Sequence, residues 1–107
     1  MRNIKFRMFD NEDKTFIYFT LKECITKEVE LFVDADIDEG IGLVDKNGKD
    51  IYEGDILYME EINEKFIVLY YSPEASFYYK DEHGNLNNFL SSTQSEIEII
   101  GNLYETN

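Results

Sequence analysis

The chain is poor in the residues that usually carry chemistry or divide a sequence into parts. Its 107 residues include one proline, one cysteine, one histidine and no tryptophan. A lone cysteine, Cys24, cannot form an internal disulfide, so nothing here requires an oxidising compartment. With one proline and no Ser/Gly-rich run there is no linker, and no fixed-period repeat is visible. We therefore expect one domain over residues 1–107. No apolar run approaches the ~20 residues needed to cross a bilayer. The opening MRNIKFRMFDNED also lacks the apolar stretch of a secretory signal. These absences point to a soluble cytoplasmic protein with no membrane partner.

Positive charge is scarce too. Twenty-three acids against ten bases leave a formal net charge of −13. The imbalance is steeper in the second half, where residues 54–107 hold ten acids and only Lys65 and Lys80 as bases. Binding to phosphate backbones or anionic lipid needs cations that displace counterions. Direct nucleic-acid binding is therefore not expected. A partner with a basic surface suits the charge, as does acidity that only keeps a small domain soluble.

What the chain does have is aromatic and β-branched residues in alternation. Eight Phe, eight Tyr and a hydrophobic share of 43% are enough for a packed core. In Ile4-Lys5-Phe6-Arg7-Met8 the apolar residues share one face and Lys5 and Arg7 the other, the pattern of a half-buried strand. The polar cluster 10–14 then leads into Thr15 to Leu21, which completes a hairpin. Two further hairpins are expected, residues 56–62 with 65–71 and residues 76–80 with 86–90. Glu96 to Ile99 forms a last strand, followed by a turn at Gly101-Asn102. Between the first and second hairpins, Thr20 and Glu23 have the spacing of a capping box. A short helical element near residues 20–28 follows from it, then an extended segment. Together these features predict a mainly β fold, a small antiparallel barrel or sandwich, SH3-like in style.

The stretch VDKNGKDIYEGDILY, residues 44–58, looks at first like a calcium loop. An EF-hand needs oxygen ligands at positions 1, 3 and 5 and a bidentate Glu at 12. Counting from Asp45, Lys49 falls at position 5 and Ile56 at position 12, so the calcium reading fails. The same letters suit turns. Asn47-Gly48 tolerates positive φ, Asp45 can accept from backbone amides ahead of it, and Gly54-Asp55 leads into the next strand.

Gly42-Leu43 and the run from Asp45 to Ile56 resemble the signature of the YopX family of phage and prophage proteins. Ile4-Lys5-Phe6-Arg7 with Phe9-Asp10 is similar to that family's N-terminal strand, with Phe9 where Trp is frequent. Ile99-Ile100-Gly101-Asn102-Leu103-Tyr104-Glu105 is similar to its C-terminal segment. The resemblance implies a compact, mainly β domain at work in the cytoplasm of a bacterial host, and no catalytic residues to transfer. The fold-signature turn residues are Asp45, Asn47, Gly48, Gly54, Asp55, Gly101 and Asn102.

The residues themselves offer little for catalysis. His83 lies in a predicted hairpin tip, and Cys24 has no base near it in sequence. Neither a phosphate-cradling glycine loop nor Cys/His metal spacing is present. We expect no enzyme, no metal and no cofactor. If residues 33–39 are extended, Asp34, Asp36 and Asp38 point the same way about 6.6 Å apart. With Glu39, Glu60, Glu61 and Glu64 they form a candidate acidic interaction surface. The expected function is a non-enzymatic phage or prophage accessory module that binds a host or phage protein, with homo-oligomers left open. The alternative is an acidic nucleic-acid mimic that inhibits a host defence nuclease of the restriction or CRISPR type.

Overall fold

The computed structural model describes residues 4–26, 37–71, 76–88 and 96–105. Strand β1 (Lys5–Asp10) pairs with β2 (Thr15–Thr20) in one unbroken register, Lys5 opposite Thr20 through Asp10 opposite Thr15. The turn between them is organised by Asp10. Its Oδ1 accepts from the amides of Glu12 and Asp13, and its carbonyl accepts from Lys14, which sits at φ 58°. The helix α1 (Leu21–Ile25) starts where Thr20 and Glu23 cap one another, side chain to backbone in both directions. At five residues it is a single turn and a little more, and Thr26 ends it.

Strand β3 (Ile37–Val44) runs antiparallel to β1 and to β4 (Asp50–Tyr52). A bulge between Gly40 and Val44 is eased by Gly42 at φ 86°. Strand β5 (Asp55–Met59) leads through a 3₁₀ turn at Glu60–Ile62 into β6 (Glu64–Tyr71). Asn63 makes the reversal at φ 50° in the left-handed region, which asparagine tolerates better than most residues. Strands β7 (Ser76–Asp81), β8 (Leu86–Asn88) and β9 (Ile97–Asn102) complete the fold.

The strands form two antiparallel sheets, ordered β2-β1-β3-β4 and β8-β7-β6-β5-β9, one of them curled into half a barrel. The mainly β expectation and the three hairpins hold. Between β3–β4 and the five-stranded sheet lies an apolar core of Ile41, Ile51, Leu57, Met59, Phe66, Val68, Tyr79 and Ile97. Alternation put these residues together: in β5 the buried Leu57 and Met59 alternate with half-buried Ile56 and Tyr58.

Three local expectations need correction. Gly101 and Asn102 are not a turn but the end of β9, preceded by a bulge that leaves Ile100 without a partner residue on β5. The turn comes one step later, where Asn102 Oδ1 accepts from the amide of Tyr104. The strand expected over residues 56–62 stops at Met59, and Glu60–Ile62 form a 3₁₀ turn instead. Polar residues on β1 do not mark an outer face: Arg7 is 3% exposed, and Met8 and Phe9, the next two residues in sequence, are also buried. β1 is an interior strand with both faces covered, so alternation cannot tell which side meets water.

Candidate functional site

The site is built around Arg7. β1 carries it toward the second sheet, and β3 sets Asp38 directly opposite. Arg7 Nε donates to Asp38 Oδ2 at 3.0 Å, and Nη1 donates to Asp55 Oδ1 at 2.7 Å. Nη2 reaches the carbonyl of Glu53 at 3.1 Å. The guanidinium also lies 4.3 Å from the ring centre of Phe16 and 5.0 Å from that of Tyr52. Such contacts hold a desolvated cation in place, and only arginine offers a planar fork for two carboxylates at once.

Each carboxylate has a second duty. Asp55 Oδ2 accepts from the amide of Tyr52 at 2.8 Å, closing the turn between β4 and β5. Asp38 Oδ1 accepts from the Tyr104 hydroxyl at 2.9 Å. Tyr104 in turn stacks on Phe9 and meets Phe16 edge-on. Gly54 sits beneath the cluster at φ 89°, where an added Cβ would face Arg7 Nη2 at 3.6 Å and Asp38 Oδ2 at 3.7 Å. Here the backbone conformation, more than the space, calls for glycine.

Burial works against the charge on Arg7, but Asp55 and Asp38 outweigh it and hold its pKa above the ordinary value. Burial raises the Asp55 carboxyl despite the Tyr52 amide and the guanidinium. Burial also raises Glu53, helped by the nearby negative charges of Asp38 and Glu39. Tyr52 is pushed up to about 12, by burial first and then by Asp50 and Tyr18. Among the described residues no buried side-chain polar atom lacks a hydrogen-bond partner. The cluster is internally satisfied and joins four segments.

A cleft of about 700 Å³, lined in part by Arg7 and Asp55, opens between the first hairpin, β4 and β9, with Phe16, Tyr18 and Tyr52 in its wall. Lys5 and Asp50, paired at 2.9 Å, lie at its rim. That volume is within the usual range of ligand pockets, roughly 300–1,000 Å³.

The candidate acidic surface is only partly brought together. Asp38 is 7% exposed and held by Arg7 and Tyr104, so it is no surface carboxylate. It lies on an inner strand of its sheet rather than on an open edge. Glu39 is half-buried on the other face of β3, opposite Phe6. Glu60 and Glu61 are exposed on the 3₁₀ turn and Glu64 is half-buried beside them, so these three do gather at one hairpin end. Asp34 and Asp36 lie outside the described residues.

Of the turn residues, Asp45 is the most heavily used. Its Oδ1 accepts from the amides of Asn47 and Lys49, and its Oδ2 accepts from Ile99 on β9. Burial opposes the charge, yet those three amides hold the Asp45 carboxyl below its ordinary pKa. Gly48 turns the chain at φ 80°. His83 is exposed at the tip between β7 and β8, where its amide donates to Asp81. Among the described residues, no group of three or more His, Cys, Asp or Glu is placed to hold a metal ion. No helix there is long and apolar enough to cross a membrane.

Sequence reasoning missed Arg7 and Tyr104 as partners. The one available signal was an arginine set among Phe6, Met8 and Phe9, where a surface face has little room. Comparison with known proteins adds a single finding. No curated protein matches the chain. The family model described as YopX protein matches residues 21–107, which contain Asp38, Asp55 and Tyr104 but not Arg7. That match covers well over half of the sequence, and the chain belongs to the YopX protein family.

Proposed function

We propose that this domain is a non-enzymatic accessory protein of a phage or prophage and acts by binding another protein. The observation that supports this reading is the closed state of its interior chemistry. Arg7, Asp38, Asp55 and Tyr104 hold one another, and the buried side-chain polar atoms among the described residues all have partners. Groups that bind each other in the ground state fix strands in place and leave little for a substrate. What remains to act is the surface, which belongs to a chain of net charge −13. A basic protein surface complements it, and electrostatic attraction of that kind speeds encounter.

Immobilised protein incubated with bacterial host lysate tests the proposal. A discrete basic protein should be retained at low salt and released as ionic strength rises. Retention of the same proteins by an unrelated β domain of equal charge would show bulk ion exchange and defeat the proposal. Nucleic-acid mimicry is the weaker reading, because Asp38, the one described member of its expected row, is buried.

A further inference from the structure

Among the described residues the two sheets have four edges, and three carry features that discourage pairing with another chain. β4 and β8 are three residues long, and β4 opens on Asp50. β9 carries Glu98 and a bulge at Ile100. Short edges, charges and bulges are the usual protections of exposed strands. β2, the fourth edge, has none of them. TFIYFT is six residues of β-formers without charge, proline or glycine, and its register on β1 is unbroken.

The hydrogen-bond phase of the hairpin shows what this edge presents. The amide of Leu21 donates to the carbonyl of Ile4, which makes Ile4–Leu21 a hydrogen-bonded pair. In an antiparallel ladder such pairs alternate. Thr15, Ile17 and Phe19 therefore face β1, and the backbone groups of Phe16 and Tyr18 face away from it. The amide of Thr20 is already taken by Glu23 Oε1. Among the described residues no strand pairs with this side of β2.

Next to the edge lies the aromatic cleft. Tyr18, 58% exposed, forms part of its wall with Phe16 and Tyr52. A strand laid along β2 would direct alternate side chains toward that cleft, the arrangement by which strand addition gains specificity.

We propose that the open edge of β2 receives an extended, lysine- or arginine-flanked segment of a partner protein, paired through Phe16 and Tyr18. This rests on the binding reading above and names the place and the partner chemistry. Charge decides between occupants. A second copy of this chain would bring its own −13, whereas a basic segment is drawn in. Glu12 and Asp13, exposed at one end of β2, add to that attraction.

The test uses a capped synthetic peptide, Lys-Lys-Val-Thr-Val-Thr-Val-Lys-Lys, with amide exchange read by NMR. Binding should slow exchange at Phe16 and Tyr18 by about tenfold or more, since newly paired edge amides gain protection. A version with glutamates in place of the lysines should not bind. A version N-methylated at alternate residues, with the charge kept, should lose the protection. Tyr18→Pro should abolish it, because that amide is not needed by β1, while Tyr18→Thr should keep it. Equal binding of the N-methylated peptide would overturn strand addition. Equal binding of the glutamate peptide would overturn the basic partner. Concentration-dependent dimers with Phe16 and Tyr18 protected in the absence of peptide would assign the edge to a second copy instead. If Tyr18→Pro leaves a salt-sensitive lysate partner fully retained, the docking place is wrong while the binding reading stands.

Discussion

The domain is held together across two unlike seams. Between β3–β4 and the five-stranded sheet the contact is apolar, and Leu57, Ile51, Val68 and Ile97 are at most 1% exposed there. Between the first hairpin and the rest, beyond the β1–β3 ladder, the central side-chain contact is Arg7 with its two carboxylates, ringed by Phe9, Phe16, Tyr52 and Tyr104. An apolar seam rewards any arrangement that excludes water and fills space. An ionic one rewards a single geometry, because a small displacement leaves a buried charge without its partner. The difference suggests a division of labour. The apolar seam supplies most of the stability, and the ionic seam fixes where the hairpin, and so the β2 edge and the cleft, must sit.

Removing the cation is the strongest way to break this comparison. Arg7→Met leaves Asp38 and Asp55 buried and uncompensated, and should cost about 3–5 kcal/mol in urea unfolding. Amide exchange should rise first in β1 and β2. The triple variant Arg7→Met, Asp38→Leu, Asp55→Asn should recover most of that loss, since no charge is stranded and Asn can still accept from the Tyr52 amide. If the triple variant is as unstable as Arg7→Met alone, the ionic seam is a source of stability and the division fails.

Leu57→Ala probes the other seam and should cost about 2–4 kcal/mol. Its signature is different: protection should fall across both sheets together, because the cavity lies in the shared core. Next in size is Asp45→Asn, expected at roughly 2 kcal/mol, as the amide group cannot satisfy all three backbone donors. This carboxylate also has a pH signature. Its folded pKa is depressed, so its contribution is fully present above the unfolded value, about 3.9, and is lost as pH falls below it. Asp55 and Glu53, raised by burial, act in the opposite sense and gain stability as they protonate. Wild-type stability measured between pH 5 and 2 should therefore fall more steeply than that of the Asp45→Asn variant. The smallest effect is expected for Lys5→Ala. Its ion pair with Asp50 is exposed on both sides, and the change should stay within about 0.5 kcal/mol.

What sequence could reveal follows from the same contrast. Strands such as β5 and β9 pack one face on the apolar core, so their alternation marks inside and outside. The turn at residues 45–49 is local, and Asp45 with Asn47-Gly48 carries its own chemistry within a few residues. Arg7 obeys neither rule. Its partners lie 31 and 48 residues away, and period-two reasoning assigns it to solvent by default. Asp38 was misjudged for the same reason. A carboxylate in an alternating acidic run looks solvated unless one knows that a guanidinium waits across the sheet.

One further consequence concerns synthesis. β1 leaves the ribosome well before the C-terminal segment, yet the hydroxyl that completes its cluster belongs to Tyr104, bonded to Asp38 across 66 residues. At 5–20 residues per second, residue 104 follows residue 7 by about 5–20 seconds. Through that interval the first hairpin can form and pair with β3, but Phe9 and Phe16 lack the Tyr104 ring that packs against them. Loop closure over such separations is a slow, late step in folding. The tyrosine side of that seam thus closes after its carboxylates, and a growing chain should be most prone to chaperone capture before it does.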